Sequence, residues 1–275
     1  MNETFHLAGV MGWPVAHSRS PRLHGYWLAQ HGLRGAYVPL AVAPGQLEAA
    51  LRGLPALGFR GANVTVPHKE AAARLVDRLD PAAQRLGAVN IVTVEADGTL
   101  RGSNSDGFGF LESLREADPG WRAEAGPVVV LGAGGAARAV VAALLEAGVP
   151  SLRLLNRNRA RAEQLASLGA VELRDWAERD AALEGAALLV NTTSLGMAGQ
   201  PPLDLRLDAL PTAAMVSDIV YTPRDTPLLL SARARGLRTA PGLPMLLHQA
   251  RPAFAAWFGI MPEVTPQLRA LMEPA

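Results

Sequence analysis

The sequence predicts an α/β protein built from two α/β units. Strand-like and helix-like segments alternate along the chain, which is typical of sheets covered by helices. The chain has 275 residues, which is long for one domain and sufficient for two. The all-apolar segment Val128–Leu131 leads through a glycine-rich turn into an apolar helix, as expected for a strand and its crossover helix packed on a sheet.

The first unit starts with an apolar strand. Capping and turn residues indicate where the elements after it begin and end. Ser20 and Pro21 are typical of an N-cap and a first helical position, and Gly32 closes that helix. Asp97 and Gly98 form a turn between two strands, so we expect a mixed sheet. The predicted strands are Phe5–Met11, Tyr37–Val42, Gly61–Val66, Asn90–Glu95 and Thr99–Ser103, and the helices after the first are Gln46–Gly53 and Glu70–Leu79.

The second unit starts with a helix whose apolar residues Phe108, Leu111 and Leu114 share one face. Short apolar strands and further helices follow in alternation. The predicted helices are Gly107–Ala117, Ala136–Glu146, Arg159–Ser167, part of Ala177–Leu183 and Pro227–Arg235, and the strands are Val128–Leu131, Leu152–Leu155, Leu188–Val190, Met215–Val220 and Leu237–Thr239. A final amphipathic helix, Met245–Phe258, lies beyond this set.

Composition and charge exclude several classes of protein. The chain has no cysteine, which excludes disulfides, thiolate metal sites and a cysteine nucleophile. A net charge of +1 gives no indication of a nucleic-acid groove or a membrane-binding surface. The N-terminus lacks the pattern of a signal peptide, and no apolar run is long enough for a membrane span. We therefore expect a cytoplasmic protein that binds neither nucleic acid nor membranes.

Two kinds of catalytic site are also not expected. The 6 histidines have no metal-ligand spacing, so we expect no metal. The chain has no G-x-S-x-G motif, which argues against a serine hydrolase.

The strongest local motif is G-x-G-x-x-A, which starts at Gly132 between a predicted strand and a predicted helix. Its first glycine permits a tight turn, and its second lets a pyrophosphate approach the backbone. The phosphates would bind the free N–H groups at the start of the helix. Since strand, turn and helix occur together, the motif favours a dinucleotide site over a structural turn. The loop residues are Gly132, Ala133, Gly134, Gly135 and Ala136.

The segment after the next strand indicates which dinucleotide binds. A site for NAD usually has an acidic residue here, which accepts a hydrogen bond from the ribose 2′-hydroxyl. This chain has three arginines and no acid between Asn156 and Arg161. Guanidinium groups suit a 2′-phosphate, and unpaired cations at a helix N-terminus are unfavourable. The segment therefore favours NADP, with a solvated basic helix start as the alternative.

Lys69 is the only lysine among the 26 basic residues. Arginine does not lose its proton in a protein, whereas the pKa of a lysine can be tuned for proton transfer. Lys69 follows Asn63 and Thr65 at a strand-to-helix corner, where the helix N-terminus disfavours the ammonium form. The pattern favours an acid–base role over that of a surface lysine.

Three other polar residues each have two interpretations. Asp106 lies at a strand-to-helix turn, where a carboxylate serves either as an N-cap or as a proton carrier. Ser18 and Ser20 have the same two interpretations, although capping is sufficient to explain Ser20 and not Ser18.

Together these segments resemble the shikimate dehydrogenase family, over most of the chain and in the same order. Ser105 and Asn158 stand where the family usually has threonine, and Pro244 stands where glycine is common. The motifs that carry the resemblance are Pro14–Pro21, Gly61–Lys69, Gly87–Asn90, Asn104–Gly107, Gly132–Ala136, Asn156–Asn158, Asp218–Tyr221 and Gly242–Gln249.

The resemblance implies a role for each matching residue. Lys69 would be the catalytic acid–base group, with Asp106 as its partner. The implied substrate-binding residues are Ser18, Ser20, Asn63, Thr65, Asn90, Tyr221 and Gln249. The implied NADP(H)-binding residues are Gly132, Ala133, Gly134, Gly135, Ala136, Asn156, Arg157, Asn158, Arg161, Ile219, Gly242 and Met245.

The resemblance also implies a domain division and a reaction. Residues 1–105 and 242–275 would form the substrate-binding domain, to which the C-terminal helices return, and 106–241 a Rossmann-like NADP-binding domain with a doubly wound sheet. The reaction would be the reversible NADPH-dependent reduction of 3-dehydroshikimate to shikimate, in chorismate and aromatic amino acid biosynthesis. The alternatives are a quinate/shikimate dehydrogenase that uses NAD and a non-catalytic NADP(H)-binding sensor. The oligomeric state stays open, with a homodimer as one option.

Overall fold

A computed structural model describes residues 5–273, which form two compact units. The first contains the chain through Ser105 together with Gln249–Met272, and the second contains Asp106–His248. The chain returns to the first unit inside a helix rather than at Gly242. The start of that helix belongs to the second unit because Gly242 lies against the backbone of Ile219 and Val220, and because Met245 joins the core of the second unit.

The first unit is built on a sheet that is mixed, as predicted, and that has six strands where five were predicted. Its strand order is β2-β1-β3-β5-β6-β4. Strands β1, β2 and β3 are parallel, and β5 is antiparallel to both β3 and β6. The elements are β1 (His6–Gly12), α1 (Ser20–Gln30), β2 (Gly35–Ala41), α2 (Leu47–Gly53), β3 (Phe59–Val64), α3 (Lys69–Leu75), β4 (Arg78–Leu79), α4 (Pro81–Leu86), β5 (Ile91–Val94) and β6 (Leu100–Ser103).

The second unit is built on a six-stranded parallel sheet with the order β12-β11-β10-β7-β8-β9. The chain runs outward from β7 to β9 and then restarts on the other side at β10, which is the doubly wound order. The elements are α5 (Asp106–Ala117), β7 (Val128–Leu131), α6 (Gly135–Glu146), β8 (Leu152–Leu155), α7 (Arg159–Ala166), β9 (Val171–Arg174), β10 (Leu188–Asn191), β11 (Met215–Asp218), α8 (Pro227–Ala234), β12 (Arg238–Ala240), α9 (Gly242–Phe258) and α10 (Pro266–Met272).

Several predicted boundaries in the first unit are wrong. The strand predicted to reach Val66 ends at Val64, and Val66 is 70% exposed. The helix predicted over Glu70–Leu79 ends at Leu75, because Asp77 leaves the helix to pair with Leu100. The chain after it forms the edge strand β4 and the short helix α4, neither of which was predicted.

In the second unit, the predicted elements differ from the observed ones where the sequence pattern is short or weak. The segment predicted to be helical in Ala177–Leu183 forms two 3₁₀ turns, Trp176–Glu178 and Ala181–Leu183. Strand β9 was not predicted, because it has only 4 residues and two of them are charged. Helix α10 was not predicted either.

A cluster of aromatic rings packs α9 against α1 and β2 in the first unit. The ring of His24 stacks on that of Tyr37 with centroids 4.1 Å apart, and Phe254 and Trp257 lie beside it. The Trp257 indole donates a hydrogen bond to the carbonyl of Val92 at 3.0 Å. This approach requires glycine at Gly61, where φ is +155° and a Cβ would lie 2.3 Å from the indole nitrogen.

Candidate active site

Three predicted substrate residues of the first unit, Asn63, Thr65 and Asn90, lie where strands end or begin at one edge of the sheet. Because β1 and β3 are parallel and β5 is antiparallel to β3, the ends of β1 and β3 meet the start of β5. Thr65 donates its backbone N–H to the carbonyl of Met11 at 2.9 Å, and Val64 donates to the carbonyl of Asn90 at 3.0 Å. Residues of the Gly61–Lys69 and Gly87–Asn90 motifs are thereby brought to the same edge, beside the end of β1.

A chain of side-chain hydrogen bonds runs along this edge. Tyr37 Oη donates to Asn63 Oδ1 at 2.7 Å, and Asn63 Nδ2 donates to the carbonyl of Asn90 at 2.9 Å. Asn90 Nδ2 donates to Ser105 Oγ at 3.2 Å, and Ser105 Oγ donates to the backbone carbonyl of Gln249 at 2.7 Å. The predicted residues Asn63, Asn90 and Gln249 thus belong to one network.

Tyr37 was not predicted to be a site residue, although it joins two residues that were. A side-chain hydrogen bond also links it to Ser20, at the start of α1. Burial raises the pKa of the Tyr37 hydroxyl well above its usual range, so the hydroxyl keeps the proton that it donates to Asn63. A buried tyrosine in a strand gives no sequence signal that separates this role from simple packing.

The predicted capping role of Ser20 is wrong. Helix α1 begins at Ser20 itself, and the N-cap position is Arg19, whose side chain makes no capping hydrogen bond. Instead, Ser18 Oγ accepts the backbone N–H of Ser20 at 3.3 Å. Pro21 was predicted to be the first helical residue and is the second, because the helix begins at Ser20.

The proposed acid–base residues each lie at the start of a helix. Lys69 is the first residue of α3 and is half-buried. The preceding corner is held by His68, whose N–H donates to the carbonyl of Thr65 at 2.9 Å and whose ring nitrogen Nε2 lies 2.7 Å from the carbonyl of Val42. Asp106 is the first residue of α5 in the second unit and is 4% exposed. Their pairing in proton transfer stays a prediction.

The glycine-rich loop of the second unit joins β7 to α6 at the carboxyl end of the sheet. The N–H of Gly132 donates to the carbonyl of Leu155 at 2.8 Å, and Thr192 Oγ1 donates to the carbonyl of Leu131 at 2.7 Å. The loop therefore contacts the ends of β8 and β10, on both sides of the point where the strand order reverses. A side chain at Gly132 is excluded, since φ is +108° and a Cβ would lie 2.6 Å from Thr192 Oγ1.

The segment Asn156–Arg161 forms the turn from β8 into α7. Asn158 caps α7 by accepting the N–H of Arg161 at 3.2 Å, and Asn156 Nδ2 donates to the carbonyl of Asn158 at 2.7 Å. Two predicted cofactor residues therefore shape the turn itself, on which the exposed Arg157 and Arg161 are carried.

The arginines of this turn differ in their surroundings. Arg157 lies over the ring of Trp176, 5.4 Å from its centroid. Arg159 pairs with Asp175 at 2.9 Å and with Glu163 at 3.4 Å. Because carboxylates compensate Arg159, the helix-dipole argument for a bound phosphate applies to Arg157 and Arg161 only.

The segment after β11 is fixed by a buried carboxylate. Asp218 accepts hydrogen bonds from Asn191 Nδ2 at 3.0 Å, from the N–H of Val220 at 3.1 Å and from Thr226 Oγ1 at 2.7 Å. Burial raises the pKa of Asp218 above its usual value, and these three donors oppose that rise. Ile219, which follows Asp218, lies against Gly242, so two predicted cofactor residues are in contact. Tyr221 is exposed.

Two negative findings apply to the part of the chain that the structure describes. Within residues 5–273, no group of three or more histidine and acidic side chains is placed to hold a metal ion. Over the same range, every helix is too short or too polar to span a membrane.

Comparison with known proteins gives matches over almost the whole chain. Residues 10–92 match the model of the shikimate dehydrogenase substrate binding domain, and 119–196 match that of shikimate / quinate 5-dehydrogenase. The NADP(+) shikimate dehydrogenase of Paramagnetospirillum magneticum is 63% identical over 97% of both chains.

Two solved structures are also similar over nearly their full length. One is quinate dehydrogenase from Corynebacterium glutamicum in complex with NAD, with a TM-score of 0.91, 33% identity, and coverage of 98% of this chain and 99% of the other. The second is shikimate 5-dehydrogenase from Thermus thermophilus in complex with NADP(H) and shikimate, with a TM-score of 0.86, 38% identity, and coverage of 97% and 98%. The chain belongs to the shikimate dehydrogenase family.

Membership of the shikimate dehydrogenase family confirms the predicted resemblance and the predicted fold class. Sequence reasoning missed two side chains that contact the predicted site residues, Tyr37 and Ser105. Ser105 was noted only as a replacement for the family's threonine. The signal that marks both is a hydroxyl placed beside an Asn of a motif, and it appears only once the strands are paired.

Proposed function

We propose that this protein is an NADP-dependent shikimate dehydrogenase that reversibly reduces 3-dehydroshikimate to shikimate. The observation that carries the proposal is the hydrogen-bonded network of Asn63, Asn90 and Gln249 in the same unit as Lys69. Amide groups both donate and accept hydrogen bonds, which suits the several hydroxyls of the substrate. The high identity to named NADP(+) shikimate dehydrogenases supports the same reaction.

Lys69 and Asp106 carry the proton of the reacting hydroxyl as a coupled pair, so their pKa values belong to the pair. Ser18 and Ser20 hold the carboxylate of the substrate, and Asn63, Thr65, Asn90, Tyr221 and Gln249 bind its ring substituents. NADPH, when bound, supplies the hydride for the carbonyl carbon of 3-dehydroshikimate.

The second unit fits NADP(H) at two places. The turn at Gly132 has no side chain to obstruct a pyrophosphate, and α6 begins at Gly135 with its free N–H groups. Past the end of β8, Arg157 and Arg161 are available for the 2′-phosphate, and no acidic residue lies between Asn156 and Arg161. Ile219, Gly242 and Met245 would contact the nicotinamide end. We therefore assign the second unit, which includes the start of α9, to the cofactor, and the first unit to the substrate.

The decisive experiment measures initial rates of shikimate and quinate oxidation, each with NADP and with NAD. Turnover confined to shikimate with NADP supports the proposal. Comparable rates with quinate or NAD support the second candidate, a quinate/shikimate dehydrogenase, which the similarity to the NAD-bound quinate dehydrogenase favours. No turnover in any pair, with NADPH still bound, would favour the sensor.

The role of Lys69 is tested by two substitutions, one that removes its positive charge and one that keeps it. Lys69→Ala should lower turnover by about 10²–10⁴-fold, the usual contribution of one acid–base group. Lys69→Arg keeps the positive charge but cannot release a proton, so it should lose turnover as well. The affinity for NADPH, measured by fluorescence, should change little in both. Normal turnover in Lys69→Arg would show that only the charge matters.

A further inference from the structure

Ser105 lies where the chain first passes from the first unit to the second. The first unit ends at Ser105, Asp106 opens the second, and the chain returns to the first unit at Gln249. Ser105 Oγ donates a hydrogen bond to the backbone carbonyl of Gln249 at 2.7 Å. A single hydroxyl therefore joins the residue at which the chain leaves the first unit to the residue at which it returns.

The same hydroxyl also holds the side chain of Asn90. The N–H of Ser105 donates to Asn90 Oδ1 at 3.0 Å, and Asn90 Nδ2 donates to Ser105 Oγ at 3.2 Å. Because the proton of the hydroxyl goes to Gln249, its oxygen is left to accept from Asn90. Ser105 is 3% exposed, so water does not replace these contacts easily. Alanine at this position would keep only the backbone contact to Asn90.

The helix at Gln249 depends on this contact more than an ordinary helix would. Helix α9 contains Pro252, which has no N–H for the carbonyl of His248 one turn earlier. The proline ring also crowds that carbonyl, which loosens the turn in which Gln249 lies. The bond from Ser105 anchors the next carbonyl of the same turn.

We propose that Ser105 is a positioning residue for the substrate. Its hydroxyl sets the amide of Asn90 and the backbone of Gln249, and its peptide bond leads directly into Asp106. The proposal rests on the proposed function, which assigns Asn90 and Gln249 to shikimate and Asp106 to proton transfer. It requires that loss of the hydroxyl weaken shikimate binding while the affinity for NADP(H) stays unchanged.

The test compares Ser105→Thr with Ser105→Val. The threonine and valine side chains have the same shape, and only threonine has a hydroxyl. In Ser105→Val, the KM for shikimate should rise about tenfold or more, with a smaller loss of kcat and an unchanged KM for NADP. In Ser105→Thr, the KM for shikimate, the kcat and the KM for NADP should each stay within about twofold of the wild type, because the hydroxyl is retained. Calorimetric titration with shikimate should give the same difference without turnover.

Ser113→Ala is the matched control. Ser113 is also a buried serine, and its hydroxyl donates to the helix carbonyl of Phe110, away from the site residues. This variant should lose a buried hydrogen bond and some thermal stability while keeping the wild-type KM for shikimate.

Each other outcome overturns one specific step. If Ser105→Thr and Ser105→Val have the same KM for shikimate, the hydroxyl is not what matters and the proposal fails. If Ser105→Val melts earlier but keeps the wild-type KM for shikimate, the hydroxyl serves stability only. If Ser105→Val does not fold, Ser105→Ala replaces it, and failure of both to fold means that the hydroxyl serves the fold and not the site. Lack of shikimate turnover in the wild type would instead refute the proposed function.

Discussion

Replacing His24 with phenylalanine should remove part of the protein's sensitivity to acid. His24 is fully buried against Tyr37 and Trp27, and neither of its ring nitrogens has a hydrogen-bond partner among the described residues. Burial lowers the pKa of His24 from 6.5 to about 3. The folded protein therefore keeps His24 neutral at a pH where the unfolded chain already binds a proton.

The sign and size of the effect follow from this difference in pKa. Because the pKa of His24 is lower in the folded state, the stability that depends on His24 is fully present above pH 6.5. It falls as the pH drops from 6.5 toward 3. Between pH 7 and pH 4 the His24 contribution amounts to a loss of about 3 kcal/mol in the free energy of unfolding. Phenylalanine preserves the ring contacts and does not titrate. It also removes two buried polar atoms that lack partners, so at pH 7 the variant should be at least as stable as the wild type.

The assay is urea unfolding of the wild type and His24→Phe at several pH values between 7 and 4. The difference between their unfolding free energies isolates His24 from the other groups that titrate in this range. His17→Asn is the control, because it removes an exposed histidine in place of the buried one. Parallel stability curves for the wild type and His24→Phe would refute the reasoning.

Three further tests address the candidate site. Gly132→Ala should lower thermal stability, because its Cβ would lie 2.6 Å from a neighbouring hydroxyl oxygen, whereas a Cβ at Gly134 meets nothing within 4 Å. Gly134→Ala should therefore keep the melting temperature of the wild type. It should weaken NADPH binding, since the methyl group would lie where a pyrophosphate approaches. Unchanged NADPH affinity in Gly134→Ala would contradict the assignment of this loop to the cofactor. Tyr37→Phe should raise the KM for shikimate about fivefold by releasing Asn63, with no change in the KM for NADP; equal effects on both substrates in steady-state kinetics would count against this. Arg157→Ala should weaken binding of NADPH by about tenfold and leave NADH unaffected, as measured by cofactor fluorescence, if this arginine binds the 2′-phosphate.

The parts of the fold that the sequence predicts are those with strong local signals. The strand before Gly132 and the helix after it were predicted because apolar runs and glycine leave little choice of backbone. The end of α3 was not predicted, because apolar residues at helical spacing continue past Leu75 as far as Leu79. Asp77 ends that helix by accepting from the N–H of Leu100 at 2.7 Å and from Arg52, and neither partner is near it in the sequence.

For the candidate site, the residues could be predicted from the sequence and the contacts between them could not. Its motif residues were expected from the resemblance to the family, but the contacts between them were not predicted. The bond from Ser105 to Gln249 spans 144 positions of the chain, and that from Tyr37 to Asn63 spans 26. Such pairs depend on strand order and on how α9 packs, which local propensity does not determine.

Strand order explains why residues from distant motifs meet. In the first unit β1, β3 and β6 run in one direction and β5 in the other, so the ends of the first three and the start of β5 share one edge. In the second unit β7, β8, β10 and β11 are all parallel, and their carboxyl ends share one edge as well. The strand interiors are buried, so substitutions there should act on stability. Polar side chains at the two edges already use much of their hydrogen-bonding capacity on one another, as Ser105 does with Asn90 and Gln249. A substitution at an edge should therefore change KM through the orientation of its neighbours even where the altered residue does not itself touch a ligand.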